Sequence, residues 1–386
     1  MNNKRHSVLL AMSVALTLAG CAPESGSDSA EGLDPDTVAT PDQQDSTEPR
    51  GPDNDAFARH GHWPPHGSGW GSGAGSTTSA GSTTSTSAGA GGAGSGSTTS
   101  SSGAGGAGGA GGAGGGAACS VFPANNWWNK DISGEAVDPK SSTYVASIGA
   151  GTSLHPDFGT QYGIPWVKVT ASVVKSTVTF DYDSESDHVG YPIPINPPIE
   201  NGSDHHILMV HTGECKLYEL FDSSKSGSQW HAGSGAVWDL TKNSTRPKGW
   251  TSADAAGLPI YPGLVRHEEV ASGVISHALR FTVPKTQHGY VAPASHYASS
   301  SYDTSRPPMG VRFRLKAGFN INGYSTQMKV ILTALKKYGM FLADNGGSWF
   351  LSGAPSPSWD DNAINTLKQV HGSDFEAITT GPITTN

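Results

Sequence analysis

In an extended strand every second side chain shares a face, so a polar residue inside an apolar row is a group held away from water. Two rows do this. Cys215, Leu217, Glu219 and Phe221 set a carboxyl among hydrophobes, and Ile275, His277, Leu279, Phe281 and Val283 do the same for an imidazole. Desolvation raises the pKa of a carboxyl, which suits a general acid near neutral pH, and an imidazole so placed carries or orients a proton. Each residue alone has a second reading, a hydrogen-bonded core group that pins sheet to sheet. Two such rows in one domain point to a site, with Glu219 and His277 as catalytic candidates.

Neighbouring residues extend that expectation. His231 and Asp239 flank the turn Gly233-Ser234-Gly235, small enough for a ligand to approach the backbone, and both join the catalytic candidates. Asp239 or Asp222 would serve as the second carboxylate of a hydrolase. Arg280 is the cation that would hold an acidic substrate group, and Trp230 and Trp250 offer aromatic faces to sugar C–H bonds. Ser234 lacks the strand-turn-helix frame of a nucleophile elbow, so a serine esterase is not expected. Arg266-His267-Glu268-Glu269 reads as a solvated charge run on extended backbone. The run from Asp181 to His188 alternates oxygen ligands, but Ser186 stands where an EF-hand loop needs glycine and Pro192 where it needs a bidentate glutamate. No metal or cofactor is expected, a looser calcium site on that run being the alternative. His205, His206 and His211 lack zincin spacing.

The elements that must position these residues lie between 119 and 386, where aromatic residues return at Val121-Phe122 and Trp127-Trp128. Short runs rich in Val, Ile, Tyr, Phe and Thr, broken by Gly, Pro, Asn and Asp, predict a mainly β fold of sandwich or jelly-roll type. His206 to Val210 is apolar on both faces, as a strand covered on two sides requires, and His211 to Cys215 closes a hairpin. Met328, Ile331, Leu332, Leu335 and Tyr338 predict an amphipathic helix with Ser325 as N-cap and Gly339 as C-cap. A second C-terminal helix is expected from a Ser358 cap, with Ile364, Leu367 and Val370 on one face. Cys119 and Cys215 suit a disulfide in an oxidising compartment, two buried free thiols being the alternative.

Upstream the composition changes. Residues 71 to 118 are only Gly, Ser, Thr and Ala, and Ala22 to Asp55 hold ten acidic residues and one base. Neither stretch carries enough apolar surface to fold, so 21–118 reads as a disordered linker, the Gly-rich part alone reaching roughly 35–40 Å. His60, His62 and His66 within it read as solvated linker rather than a metal site. The balance of 24 Lys+Arg against 33 Asp+Glu, net -9, excludes the basic surface a nucleic-acid partner demands.

Residues 1–20 form a leader: Lys4 and Arg5, an apolar run from Val8 to Ala19, then Gly20. Leu18-Ala19-Gly20-Cys21 resembles the lipobox of bacterial lipoproteins. The resemblance implies lipidation of Cys21, a membrane partner through that anchor, and a place in the bacterial cell envelope, at the outer membrane or cell surface. The segments His231 to Leu240, Gly249 to Pro259, His277 to Phe281 and Tyr338 to Asp344 resemble an uncharacterised family of secreted bacterial proteins, which implies one intact domain over most of 119–386. The functional expectation is a tethered domain that cleaves an extracellular polysaccharide, as a hydrolase through Glu219, or as a lyase in which His277 or a tyrosine takes the proton while Arg280 holds the carboxylate. The competing expectation is a non-catalytic lectin-like or structural surface lipoprotein.

Overall fold

A computed structural model describes residues 119–385. The leader 1–20, Cys21, the linker 21–118 and its histidines lie outside the described residues. Among those described the fold is mainly β with few helices. Thirteen short strands follow one another as β1 (His155–Asp157), β2 (Trp166–Val169), β3 (Val178–Phe180), β4 (Ile207–His211), β5 (Lys216–Phe221), β6 (Ser224–Ser226) and β7 (Gln229–Ala232). Then come β8 (Ser234–Asp239), β9 (Leu279–Val283), β10 (Arg312–Leu315), β11 (Met340–Asn345), β12 (Phe350–Ser352) and β13 (Phe375–Ala377). They form a six-stranded sheet ordered β1-β12-β9-β11-β10-β13, a four-stranded sheet β2-β4-β5-β8 and a three-stranded sheet β3-β7-β6. Parallel and antiparallel pairs mix: β9 runs parallel to β11 and antiparallel to β12, and β2 runs parallel to β4.

The pleat of the four-stranded sheet divides the core in two. Leu208, Val210, Leu217 and Trp238 join one cluster with Leu279, Phe281 and Leu342 of the six-stranded sheet. Ile207, Met209, Tyr218 and Leu220, the alternate residues, join a second cluster with Phe180, Trp230 and Ala232 of the three-stranded sheet. This explains why all five residues of β4 are buried: the strand has protein on both faces, as its two-sided apolar pattern requires. Glu219 falls on the Leu217 face, toward the larger core.

Helix Thr326–Lys337 forms where the 3.6-residue period places it. Ser325 Oγ accepts from Met328 N at 3.3 Å, and Met328, Ile331, Leu332 and Leu335 are fully buried. Gly339 follows at φ +64°, where an added Cβ would lie 2.1 Å from Phe313 O, so the stop also lets β10 come close. The second C-terminal helix is shorter than expected. Asp360, not Ser358, caps it by accepting from Asn362 N and Ala363 N, and after Asp361–Asn365 the chain tightens into a 3-10 turn over Thr366–Gln369. Ile364, Leu367 and Val370 are nonetheless buried together.

Two further helices, Ser141–Ile148 and His267–Ser272, add to those expected, the first burying Tyr144, Val145 and Ile148. The second replaces the extended charge run expected at 266–269. Helical spacing puts Arg266 and Glu269 on one side, where they pair at 2.6 Å. A disulfide joins Cys119 to Cys215 across 96 residues, with Cα atoms 5.3 Å apart, and so fastens the start of the domain to the β4–β5 hairpin.

Candidate active site

Glu219 is wholly buried on β5. Its Oε1 accepts from Ile260 N at 2.9 Å and Tyr261 N at 2.8 Å, and its Oε2 from Trp238 Nε1 at 3.2 Å. Burial pushes the carboxyl up to about 7 against the pull of the Tyr261 and Ile260 amides. The expectation of a desolvated carboxyl holds, but its oxygens face backbone donors, not a cleft. Glu219 fastens the turn Tyr261–Gly263 to the sheet.

His277 sits at the same hub, one bend before β9 begins. Its Nδ1 lies 2.8 Å from Ala278 O, and its Nε2 is 3.0 Å from Arg266 NH2 and 3.1 Å from Glu269 Oε2. Arg266 also donates to Tyr261 O at 2.5 Å, so Glu219 and Arg266 hold the same turn from two sides, with His277 beside Arg266. With relative exposures of 0% and 4%, both are buried and bonded within the protein rather than open to a cleft.

The remaining candidates disperse. His231 lies on the three-stranded sheet, paired with Asp181 at 3.2 Å and Thr179 at 3.0 Å. Asp239 closes the far end of β8, held by Lys242 at 2.8 Å, and that cation and the Thr241 hydroxyl bring it down to about 2. It stands opposite Lys216, three pairs along from Glu219 and Ala236, too far to share a reaction with Glu219. Trp230 is core, with Lys225 over its ring, and Trp250 is half-buried under Arg246. Ser234 donates to Ser252 O at 2.6 Å. The acidic run is used within the protein: Arg246 binds Asp187 and Glu185 O, Thr251 N donates to Glu185, and His188 stands beside Asp183. Among the described residues no group of three or more His, Cys, Asp or Glu is placed to hold a metal.

Arg280 leads elsewhere. On β9 it is buried, donates to both oxygens of Asp254 at 2.8 and 3.2 Å, and reaches Ser352 Oγ at 2.6 Å. Burial works to raise Asp254, and the guanidinium works against it. Asp254 in turn lines a crevice with Phe221, Ser234, Thr251 to Ala253, Ala255 and Asp344.

Around it stand carboxylates delivered by separate elements. Asp344 ends the apolar run of β11, half-buried, and is pushed up to about 8, first by burial and then by repulsion from Asp254 and Asp204. Asp157, exposed at the end of β1 and opposite Ser352, is pushed up to about 6 by surrounding protein mass and by Glu200. Exposed Asp204 lies within electrostatic reach of both and accepts from Asp222 N at 2.7 Å. Glu200 binds His206 Nδ1, while His206 Nε2 reaches Ala253 O at 3.0 Å. Burial opposes charge on His206, yet Glu200 prevails and pushes it up to about 9.

Of the expected site only Arg280 bonds to a residue lining this crevice, Asp254, and it does so as a buried partner rather than a substrate cation. Asp157, Glu200, Asp204, His206, Asp254 and Asp344 carried no role in the sequence reading. The one available signal was Asp344 directly after four apolar residues; Asp254 is a single acid in a small-residue loop, and the others depend on sheet order. Compared with protein-family models, curated proteins and solved structures, the chain matches none.

Proposed function

We propose that the domain is a carboxylate-dependent hydrolase of an extracellular polysaccharide, working at the crevice above Arg280. The observation that carries this is a half-buried carboxyl, Asp344, on the wall of a crevice and within electrostatic reach of exposed Asp204. A carboxyl that keeps its proton near neutral pH is a general acid, and a second carboxylate activates water, which is the division of labour glycoside hydrolysis needs. Asp344 is the acid and Asp204 the base. Asp254 is a positioning residue: its charge holds the Asp344 proton and Arg280 fixes its orientation.

Hydrolysis is favoured over elimination because Arg280, the cation a uronate carboxylate would need, spends its donors on Asp254 and Ser352. Packing of the four-stranded sheet between two cores supports a sandwich-like layering, and the parallel pairs weigh against a jelly roll. In this reading the leader is cut before Cys21, lipid at that cysteine anchors the chain in the cell envelope, and the 21–118 segment lets the domain reach polymer beyond the membrane.

The test is release of reducing ends from neutral and uronic polysaccharides by the full chain. Product from a neutral polymer without unsaturated ends, lost in Asp344→Asn with the fold retained, is the expected result. A fully active Asp344→Asn variant, or unsaturated products, would refute the assignment. The second reading, a lectin-like or structural lipoprotein, draws on the burial of Glu219 and His277 and on a crevice of only about 10 Å3, room for about one water. It predicts binding, or no interaction, with no product.

A further inference from the structure

Among residues 119–385 three asparagines precede glycine: Asn201, Asn322 and Asn345. In such a pair the following backbone nitrogen can attack the asparagine side-chain carbonyl, because glycine has no Cβ to obstruct the five-membered ring that closes. Local structure decides which pair reacts. The nitrogen must be free of an acceptor, and the backbone must turn to bring it onto the carbonyl carbon.

The three pairs differ in those respects. Gly346 N donates to Val283 O at 2.9 Å, and the Asn345 side chain is held at both ends, its Oδ1 accepting from Thr286 Oγ1 and its Nδ2 donating to Ala298 O, each at 3.1 Å. A Cβ at Gly346 would lie 2.7 Å from Thr282 Oγ1, so the backbone has no room to turn. Asn322 and Gly323 are exposed but form the centre of a turn closed by Tyr324 N on Ile321 O at 3.2 Å, and Asn322 N donates to Asn320 Oδ1 at 3.0 Å. Asn201 and Gly202 begin a wholly exposed span, 201–205. Its base is closed, Glu200 N donating to His206 O at 3.0 Å and the Glu200 carboxylate binding His206 Nδ1. Inside it, the Asn201 side chain and Gly202 N bond to no described residue, and the space about Gly202 is open. That backbone turns without breaking a bond.

We propose that the fold leaves Asn201, of these three asparagines, open to spontaneous deamidation. Gly202 N attacks Asn201 Cγ; the new C–N bond forms, the Cγ–Nδ2 bond breaks, and the proton of the attacking nitrogen ends on the departing ammonia. Water then opens the succinimide at either carbonyl, giving aspartate, or isoaspartate with the backbone running through the former side chain. The product adds a carboxylate between Glu200 and Asp204, in the loop that carries the charges acting on Asp157. Nothing in this chemistry depends on the carbohydrate reading.

The experiment ages the full chain in mildly alkaline buffer, reduces and digests it with trypsin, and follows the amide-to-acid mass gain peptide by peptide. Cleavage after Lys175 and Lys216 isolates 176–216, in which the other asparagine, Asn196, precedes Pro197 and so meets no N–H. That peptide is expected to convert at least about tenfold faster than the one holding Asn345, because the bonded strand must first open. It should separate into aspartyl and isoaspartyl forms, convert faster as pH rises, and stop converting in Asn201→Gln. In denaturant the two peptides should convert at similar rates. Conversion of 176–216 in the native chain no faster than that of the Asn345 peptide overturns the proposal, as does conversion that persists in Asn201→Gln or a gap between the peptides that persists in denaturant.

Discussion

The Glu219 carboxylate and the Tyr261 amide lie 2.8 Å apart, and through that bond a strand of the four-stranded sheet holds the turn Tyr261–Gly263. A buried carboxylate that accepts from Ile260, Tyr261 and Trp238 is a structural anchor. Glu219→Gln sets an amide donor against backbone donors and should cost about 1–3 kcal/mol in chemical denaturation. The pH dependence follows from the raised carboxyl. The group's contribution is fully present below the ordinary glutamate value of 4.5 and is lost as pH rises through about 7. Wild-type stability should fall across that window and the Gln variant's should not; parallel curves would refute the anchor's titration.

Arg280 and Asp254 are both buried, so breaking the pair leaves a charge with no partner. Arg280→Met should destabilise by about 3–5 kcal/mol, and the double variant Arg280→Met with Asp254→Leu should recover most of it. A double-mutant cycle measures this, and additive losses would show that the two are not coupled.

Asp344→Asn separates catalysis from folding. Activity on a neutral polymer should drop by about 10²–10⁴-fold. The wild-type Asp344 contribution to stability is present below the ordinary aspartate value of 3.8 and lost as pH rises through about 8. The Asn variant should therefore equal or exceed the wild type in thermal midpoint at pH 9. A lower midpoint there would mean that the carboxylate is a structural acceptor.

The Cys119–Cys215 bond closes a long loop of chain. Replacing both cysteines by serine should cost about 2–4 kcal/mol, chiefly by freeing the unfolded chain. Denaturation midpoints with and without reductant should differ for the wild type and coincide for the double serine variant.

The sequence by itself determined features whose cause is local. Ser325 and Gly339 bracket helix Thr326–Lys337 because cap chemistry acts within one turn. The two-sided apolar run of β4 predicted burial on both faces because alternation reports what a strand touches. Glu219 and His277 were legible as polar groups among hydrophobes. Their work was not: whether a buried carboxyl faces substrate or a backbone amide depends on Ile260 and Tyr261, forty residues away. Nor does any pattern along the chain join Asp157, Asp254 and Asp344. The order β1-β12-β9-β11 and the Arg280 fork bring them into one neighbourhood, with Asp254 and Asp344 on one crevice, because strand order and long-range pairing are set by how the sheets pack.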